Sequence, residues 1–191
     1  SAMPARTPPR FYLAMAILVA VVVIYGFSYT IDQNLWHPAE PRPPVLYVHA
    51  VLFSGWVLLA IAQPALVASR RAAWHRRLGR VGLWYGAAIP LVGIATTVAM
   101  TRFRFALGDV DAPRGAVIPL FDMVAFTTAF VLGARWRQRS EWHKRLMWIA
   151  TAALTAAAWG RLPLLEPYGG GFYAGVDVLI AAAALRDLAV T

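Results

Sequence analysis

Long apolar segments constrain this chain more than any other feature. The 191 residues are 60% hydrophobic and 14% charged, whereas soluble domains carry about 25% charged residues. The apolar residues form runs close to the roughly 20 residues that a helix needs to cross a bilayer. Because lipid offers no hydrogen bonds to the backbone and the runs lack the alternation of barrel strands, helices are favoured. We predict an all-α membrane protein with six transmembrane helices at about 11–30, 45–67, 79–100, 116–134, 144–161 and 172–189.

We expect these helices to form one transmembrane domain that covers residues 1–191. The first apolar run is too long for the core of a signal peptide, so we interpret it as a retained span. The chain has no cysteine, which excludes disulfides, thiolate metal ligands and catalytic thiols.

The distribution of basic residues predicts an orientation in the membrane. The net charge is +9, but the basic residues flank apolar segments, which indicates membrane topology rather than nucleic-acid binding. Of the 18 lysine and arginine residues, thirteen fall on the side of the N-terminus and five on the other side. The positive-inside rule then places both termini in the cytoplasm. We expect a multi-pass protein of the bacterial cytoplasmic (inner) membrane, in contact with the lipid bilayer.

A short basic phrase occurs twice. Residues 74–78 read Trp-His-Arg-Arg-Leu, and residues 142–146 read Trp-His-Lys-Arg-Leu. Each copy follows one apolar segment and precedes another, which predicts a repeated unit of helix, basic turn and helix. A parallel repeat of this kind implies a pseudo-two-fold axis along the membrane normal. Spans two to five would then form a four-helix core, with spans one and six beside it.

The two repeated histidines, His75 and His143, are the first candidate site. At equivalent positions they are able to ligate one metal ion or one haem iron, because imidazole suits iron, copper and zinc. Two other interpretations stay open, namely an interfacial anchor and a hydrogen bond that orients the turn. The neighbouring basic residues would meet haem propionates or lipid phosphates; they are Arg76, Arg77, Lys144 and Arg145.

Ionisable residues near the outer side form a second candidate site. His49, Asp122 and Arg161 lie at similar depth in three different spans. Charged groups inside a bilayer are costly and normally pair, so we expect an ion pair between Asp122 and Arg161, joined by His49. The cluster would serve as a proton relay, a quinone-headgroup site or a polar substrate pocket. It would otherwise be a structural pair that sets helix register.

Span two carries a polar and aromatic stripe. His49, Trp56 and Gln63 are spaced seven residues apart, so they share one helix face. The stripe predicts either a lining for a cofactor or pathway, with Gln63 as a further buried polar residue, or ordinary helix packing. The glycines of span three would permit close contacts with partner helices or with a second copy of the chain; they are Gly79, Gly82, Gly86 and Gly93.

Two resemblances follow from these residues. The sequence around His49, Trp56, Gln63 and His75-Arg-Arg-Leu-Gly-Arg, with the later His143-Lys-Arg-Leu-Met, resembles a family of uncharacterised bacterial multi-pass membrane proteins across about residues 45–163. The chain is more distantly similar to transmembrane haem b cytochromes of the ascorbate-reducible and ferric-reductase type. That resemblance implies a four-helix core with histidine ligands. Those cytochromes pair histidines at both leaflets, whereas here the outer side has only His49 and the loop residue His37.

Taken together, these patterns favour a haem b electron-transfer protein. His75 and His143 would ligate the haem, His49 would be a further cofactor-binding residue, and a quinone or other small molecule would bind near His49, Asp122 and Arg161. Two alternatives stay open: a small-molecule or proton-coupled transporter or channel without a cofactor, and a structural or assembly protein, including a homo-oligomer. The sequence identifies no catalytic residue and leaves open whether the protein is an enzyme.

Overall fold

The computed structural model describes residues 9–165 and 171–189, and every regular element in these ranges is helical. This confirms the predicted all-α class. A single π-helical turn at Asp32–Trp36 follows the first helix. The α-helices are α1 (Pro9–Ser28), α2 (Val45–Ala68), α3 (Ala72–Ala106), α4 (Ala112–Gly115), α5 (Val117–Arg135), α6 (Ser140–Ala153), α7 (Ala156–Trp159) and α8 (Phe172–Ala189).

Four helical segments in the described part of the chain are long and apolar enough to cross a membrane. They are Arg10–Ser28, Val45–Ala68, Ala72–Ala106 and Ala112–Arg135, the last of which combines α4 and α5. These four segments indicate a multi-pass membrane protein.

The last two predicted spans, 144–161 and 172–189, are not among these four segments. The segment 144–161 is divided between α6 and α7, because Thr155 donates both its backbone N–H (2.9 Å) and its hydroxyl (2.6 Å) to the Ala152 carbonyl. A hydroxyl that bonds a nearby carbonyl competes with the regular helical pattern. The helix at 172–189 forms as α8, but it carries the charged residues Asp177, Arg186 and Asp187.

The predicted starts of the third span at about 79 and of the fifth span at about 144 are too late. Helix α3 begins at Ala72 and α6 begins at Ser140, so the repeated phrase occupies the first turns of both helices. The true turn after α2 is short because Arg71 N–H bonds the Leu66 carbonyl (2.8 Å) and Arg70 N–H bonds the Val67 carbonyl (3.0 Å). Arg70 has a φ of 59°, which completes a Schellman-type helix end without glycine.

Two apolar clusters organise the helices. Helices α2, α3, α5 and α6, the four that the repeat joins, share a cluster in which Trp56 meets Phe126 (5.2 Å between ring centroids) and Phe130 (5.8 Å). Helices α1, α6, α7 and α8 share the second cluster, which contains Val19, Trp148 and Leu179. Helix α6 therefore lies between the two clusters.

Polar side chains tie the helices together across these clusters. Trp56 Nε1 donates to Thr151 Oγ1 (3.3 Å), which links α2 to α6. Tyr85 Oη donates to the Leu52 carbonyl (2.8 Å), which links α3 to α2. Trp148 Nε1 donates to the Leu179 carbonyl (3.0 Å), which links α6 to α8.

The glycines of α3 serve contacts within the chain. A methyl group on Gly86 would overlap the Phe130 ring, and one on Gly93 would overlap the Met123 side chain. Both glycines therefore let α5 approach α3 closely. Gly82, one turn before Gly86, has open space around it.

Candidate functional site

His143 is held by the helix that precedes it. Its Nδ1 lies 2.8 Å from the carbonyl oxygen of Gly133, near the end of α5. Because a carbonyl only accepts, Nδ1 carries the proton, and in the neutral ring Nε2 keeps its lone pair. Within the described residues Nε2 has no hydrogen-bond partner.

His75 makes the corresponding contact with α2, and Gln63 decides its protonation. His75 Nδ1 lies 3.4 Å from the Gln63 backbone oxygen and 2.6 Å from the Gln63 carboxamide. When the amide nitrogen donates to Nδ1, the amide oxygen accepts from the Gly79 N–H at 3.0 Å, and the ring proton is on Nε2. The opposite amide orientation makes Nδ1 the donor and leaves Nε2 unprotonated.

The repeated phrase therefore builds the same kind of contact twice. Each histidine joins the first turn of its own helix to the end of the helix before it, and the two rings are close enough to interact electrostatically. Trp74 and Trp142 are 58% and 51% exposed, as expected for interfacial anchors. We call this region of the bundle the turn end.

Three of the four basic residues in the repeated phrases have partners within the protein. Lys144 Nζ lies 2.6 Å from Glu141 Oε2, and Arg145 Nε lies 2.5 Å from Asp187 Oδ2 on α8. Arg77 lies over the Trp74 ring at 5.3 Å. Lys144 is thus paired within the first turns of α6, and Arg145 joins α6 to α8. Asp187 was not predicted as a partner, because an acid next to Arg186 in the sequence is typical of an ordinary solvated pair.

The predicted ion pair between Asp122 and Arg161 is wrong in the described structure. Asp122 is 7% exposed and accepts a hydrogen bond from Tyr173 Oη at 2.9 Å. Arg161 instead reaches α1, where its Nε donates to Thr30 Oγ1 at 3.0 Å and its guanidinium lies 4.2 Å from the Phe27 ring centroid. The rotations of α5 and α7 direct the two side chains towards different helices.

His49 is close enough to Arg161 to interact with it electrostatically. Its imidazole stacks on Phe53 with 3.9 Å between the ring centroids. His49 Nδ1 is buried and has no hydrogen-bond partner among the described residues. We call the region that contains His49, Asp122, Arg161 and Tyr173 the opposite end.

The stripe on α2 divides into three separate environments. His49 belongs to the opposite end, Trp56 belongs to the aromatic cluster, and Gln63 belongs to the turn end with His75. Gln63 is thus separated from the polar residues at the opposite end. The loop residue His37 is exposed and pairs with Asp32 at 2.6 Å.

Metal-ligating residues are sparse in this fold. In residues 9–165 and 171–189, no group of three or more histidine, aspartate or glutamate side chains is arranged to hold a metal ion. Haem iron takes at most two axial protein ligands, so His75 and His143 are the set to be tested for such a group.

No protein-family model, no curated protein and no solved structure matches this chain.

Proposed function

We propose that this chain is a six-pass protein of the bacterial inner membrane, with both termini in the cytoplasm, that binds haem b through His75 and His143 and transfers electrons. The observation that carries the proposal is the contact of each histidine Nδ1 with the helix before it. Metal-bound histidines almost always donate their other ring N–H to a carbonyl, a carboxylate or water, which fixes the ring and raises its basicity as a ligand.

The two histidines fit an axial ligand set to different degrees. His143 already has the required tautomer, because Nδ1–H is bound to the Gly133 carbonyl and Nε2 has no partner within the described residues. His75 reaches the same tautomer when the Gln63 carboxamide rotates so that its oxygen accepts from Nδ1. That rotation costs the contact with the Gly79 N–H. The Nδ1 contacts of both rings are thus compatible with axial ligation through Nε2, with Gln63 as the side chain that must adjust.

When bound, haem b supplies reversible one-electron transfer at its iron. The protein contributes the positions of the two rings, which the ends of α2 and α5 hold through hydrogen bonds. It also contributes a dry interior next to this site, where Trp56, Phe126 and Phe130 pack against one another. Arg76 is the one basic residue of the two phrases without an ion pair or ring contact in the described structure, so it is the candidate partner for a propionate.

The alternatives have less support in the geometry. A channel or transport path would join the two ends of the bundle, but the aromatic cluster fills the interior between them. An assembly surface on α3 would require its glycines, but Gly86 and Gly93 contact α5 of the same chain.

An absorption spectrum of the detergent-purified protein tests the proposal. We expect a Soret band, with α and β bands after reduction by dithionite, when the protein is expressed with an adequate haem supply. The His75→Ala/His143→Ala double variant should lose these bands, whereas His37→Ala, which changes an exposed loop histidine, should keep them.

Two results would overturn the proposal. One is a featureless spectrum from helical, monodisperse protein made with haem present. The other is an unchanged spectrum in the double variant, which would place the haem elsewhere.

A further inference from the structure

Arg161 is a cation without an acidic partner in the described structure. Its Nε donates to Thr30 Oγ1, its Nη1 donates to the Ala157 carbonyl, and its guanidinium covers the Phe27 ring. These partners are neutral, and Nη2 has no hydrogen-bond partner among the described residues. Charged side chains at membrane depth normally pair with an opposite charge. We therefore expect the Arg161 guanidinium to bind an anion.

His49 offers a second unused polar atom beside this guanidinium. Its Nδ1 is buried without a partner, and its ring is fixed by stacking on Phe53. Buried polar atoms in folded proteins nearly always have a hydrogen-bond partner, so an orphaned one requires an explanation. Arg161 is close enough to act on His49 electrostatically. One group that accepts hydrogen bonds from both residues would satisfy both.

Asp122 was predicted to pair with Arg161, but it does not supply this anion. It is hydrogen-bonded to Tyr173 on α8. Glu166, five residues after Arg161, lies outside the described residues, and the experiment below tests it directly.

We infer that Arg161 and His49 form a binding site for a phosphate group at the opposite end of the bundle. The guanidinium would donate from Nη2, and His49 would donate from Nδ1, since a phosphate oxygen accepts from both. Phe27 and Phe53 supply apolar rings beside these donors, which suits the phosphate of a phospholipid headgroup and its attached chains. A free phosphate would use the same donors. The site lies at the other end of α2 from His75, so it does not depend on the haem proposal.

Thermal unfolding of the full chain in detergent, followed by tryptophan fluorescence, tests this inference. Added phosphatidylglycerol should raise the Tm of the unaltered protein, and added phosphatidylcholine should raise it less, because its headgroup has no net charge. Arg161→Gln should weaken the half-saturating phosphatidylglycerol response by about ten- to hundredfold, the range for losing a hydrogen bond to a charged group. His49→Phe, which keeps the stacking on Phe53, should weaken it less.

Arg114→Gln is the matched control. Arg114 is an exposed arginine at the same end of the bundle that pairs with Asp111 at 3.1 Å, so its replacement should leave the lipid response unchanged. Arg161→Lys keeps the charge but loses the fork of donors, and an intermediate response is expected. This variant keeps the test valid if Arg161→Gln fails to fold.

Further Tm measurements identify the source of the anion. An Arg161-dependent Tm shift with inorganic phosphate alone would support the site with a soluble ligand instead of a lipid. An equal phosphatidylglycerol response in Arg161→Gln and the unaltered protein would overturn the inference. A response that appears only in Glu166→Gln would also overturn it, because Glu166 would then be the native counter-ion.

Discussion

The ring of His143 is hydrogen-bonded to the Gly133 carbonyl at 2.8 Å, which joins the first turn of α6 to the end of α5. His75 makes the corresponding contact between α3 and the end of α2. A phrase repeated in the sequence therefore recurs as a repeated contact between successive helices. The contact joins successive helices and also sets which ring nitrogen carries the proton.

His143→Asn and His143→Phe should separate the structural role of this residue from ligation. The asparagine side chain is able to donate to the Gly133 carbonyl, so we expect it to retain most of the stability. Phenylalanine removes the donor and should destabilise the protein by about 1 kcal/mol. Unfolding by denaturing detergent measures the difference, with His37→Phe as the exposed control. Equal stability of both His143 variants would contradict the structural role, while haem should be lost from both.

Gln63 should control the haem potential through His75. In Gln63→Glu, the carboxylate accepts from His75 Nδ1–H, which leaves Nε2 unprotonated and makes it a more basic ligand. We expect a lower midpoint potential in a redox titration and, by nitrogen NMR of the haem-free protein, a shift of the His75 proton to Nδ1. In Gln63→Leu only the backbone oxygen of residue 63, at 3.4 Å, remains to accept from Nδ1, so we expect a weaker shift of the proton than in Gln63→Glu. A Gln63→Glu protein with an unchanged tautomer would refute this role.

The hydrogen bond between Tyr173 and Asp122 should stabilise the docking of α8. Tyr173→Phe removes the donor from a buried carboxyl and should cost about 1–3 kcal/mol. Asp122→Asn leaves an oxygen that still accepts from Tyr173, so its cost should be smaller. A double-mutant cycle on the free energy of unfolding measures the coupling. Additive effects of Tyr173→Phe and Asp122→Ala would show that the two side chains do not interact.

Replacing Gly86 or Gly82 by alanine should change the stability of the protein in opposite directions. Gly86→Ala places a methyl group against the Phe130 ring and should destabilise the protein by about 1–3 kcal/mol through overpacking. Gly82→Ala enters open space and should be neutral or stabilising by up to about 1 kcal/mol, since alanine is the better helix former. The Tm of each variant in detergent is the measurement. A stable Gly86→Ala protein would mean that α3 and α5 are farther apart than described.

The helical class and the approximate positions of the apolar segments could be predicted because lipid and backbone chemistry leave few choices. A run of about 20 apolar residues without alternation has to satisfy its own hydrogen bonds as a helix. The recurrence of Trp-His-basic-basic-Leu likewise pointed to two equivalent places in the fold. The start of α3 at Ala72 was not predicted, because charged residues in a first helical turn look like a linker.

The partners of the buried polar groups could not be predicted. We expected a similar depth in the membrane for Asp122, Arg161 and His49, but depth does not determine the direction in which a side chain points. The break at Thr155 and the packing of α5 against α6 set those directions. By itself, the sequence determined which segments are helical, since local composition decides this. The tertiary structure decided that Asp122 contacts Tyr173 while Arg161 contacts Thr30 and Phe27, because helix rotation depends on packing between segments far apart in the chain.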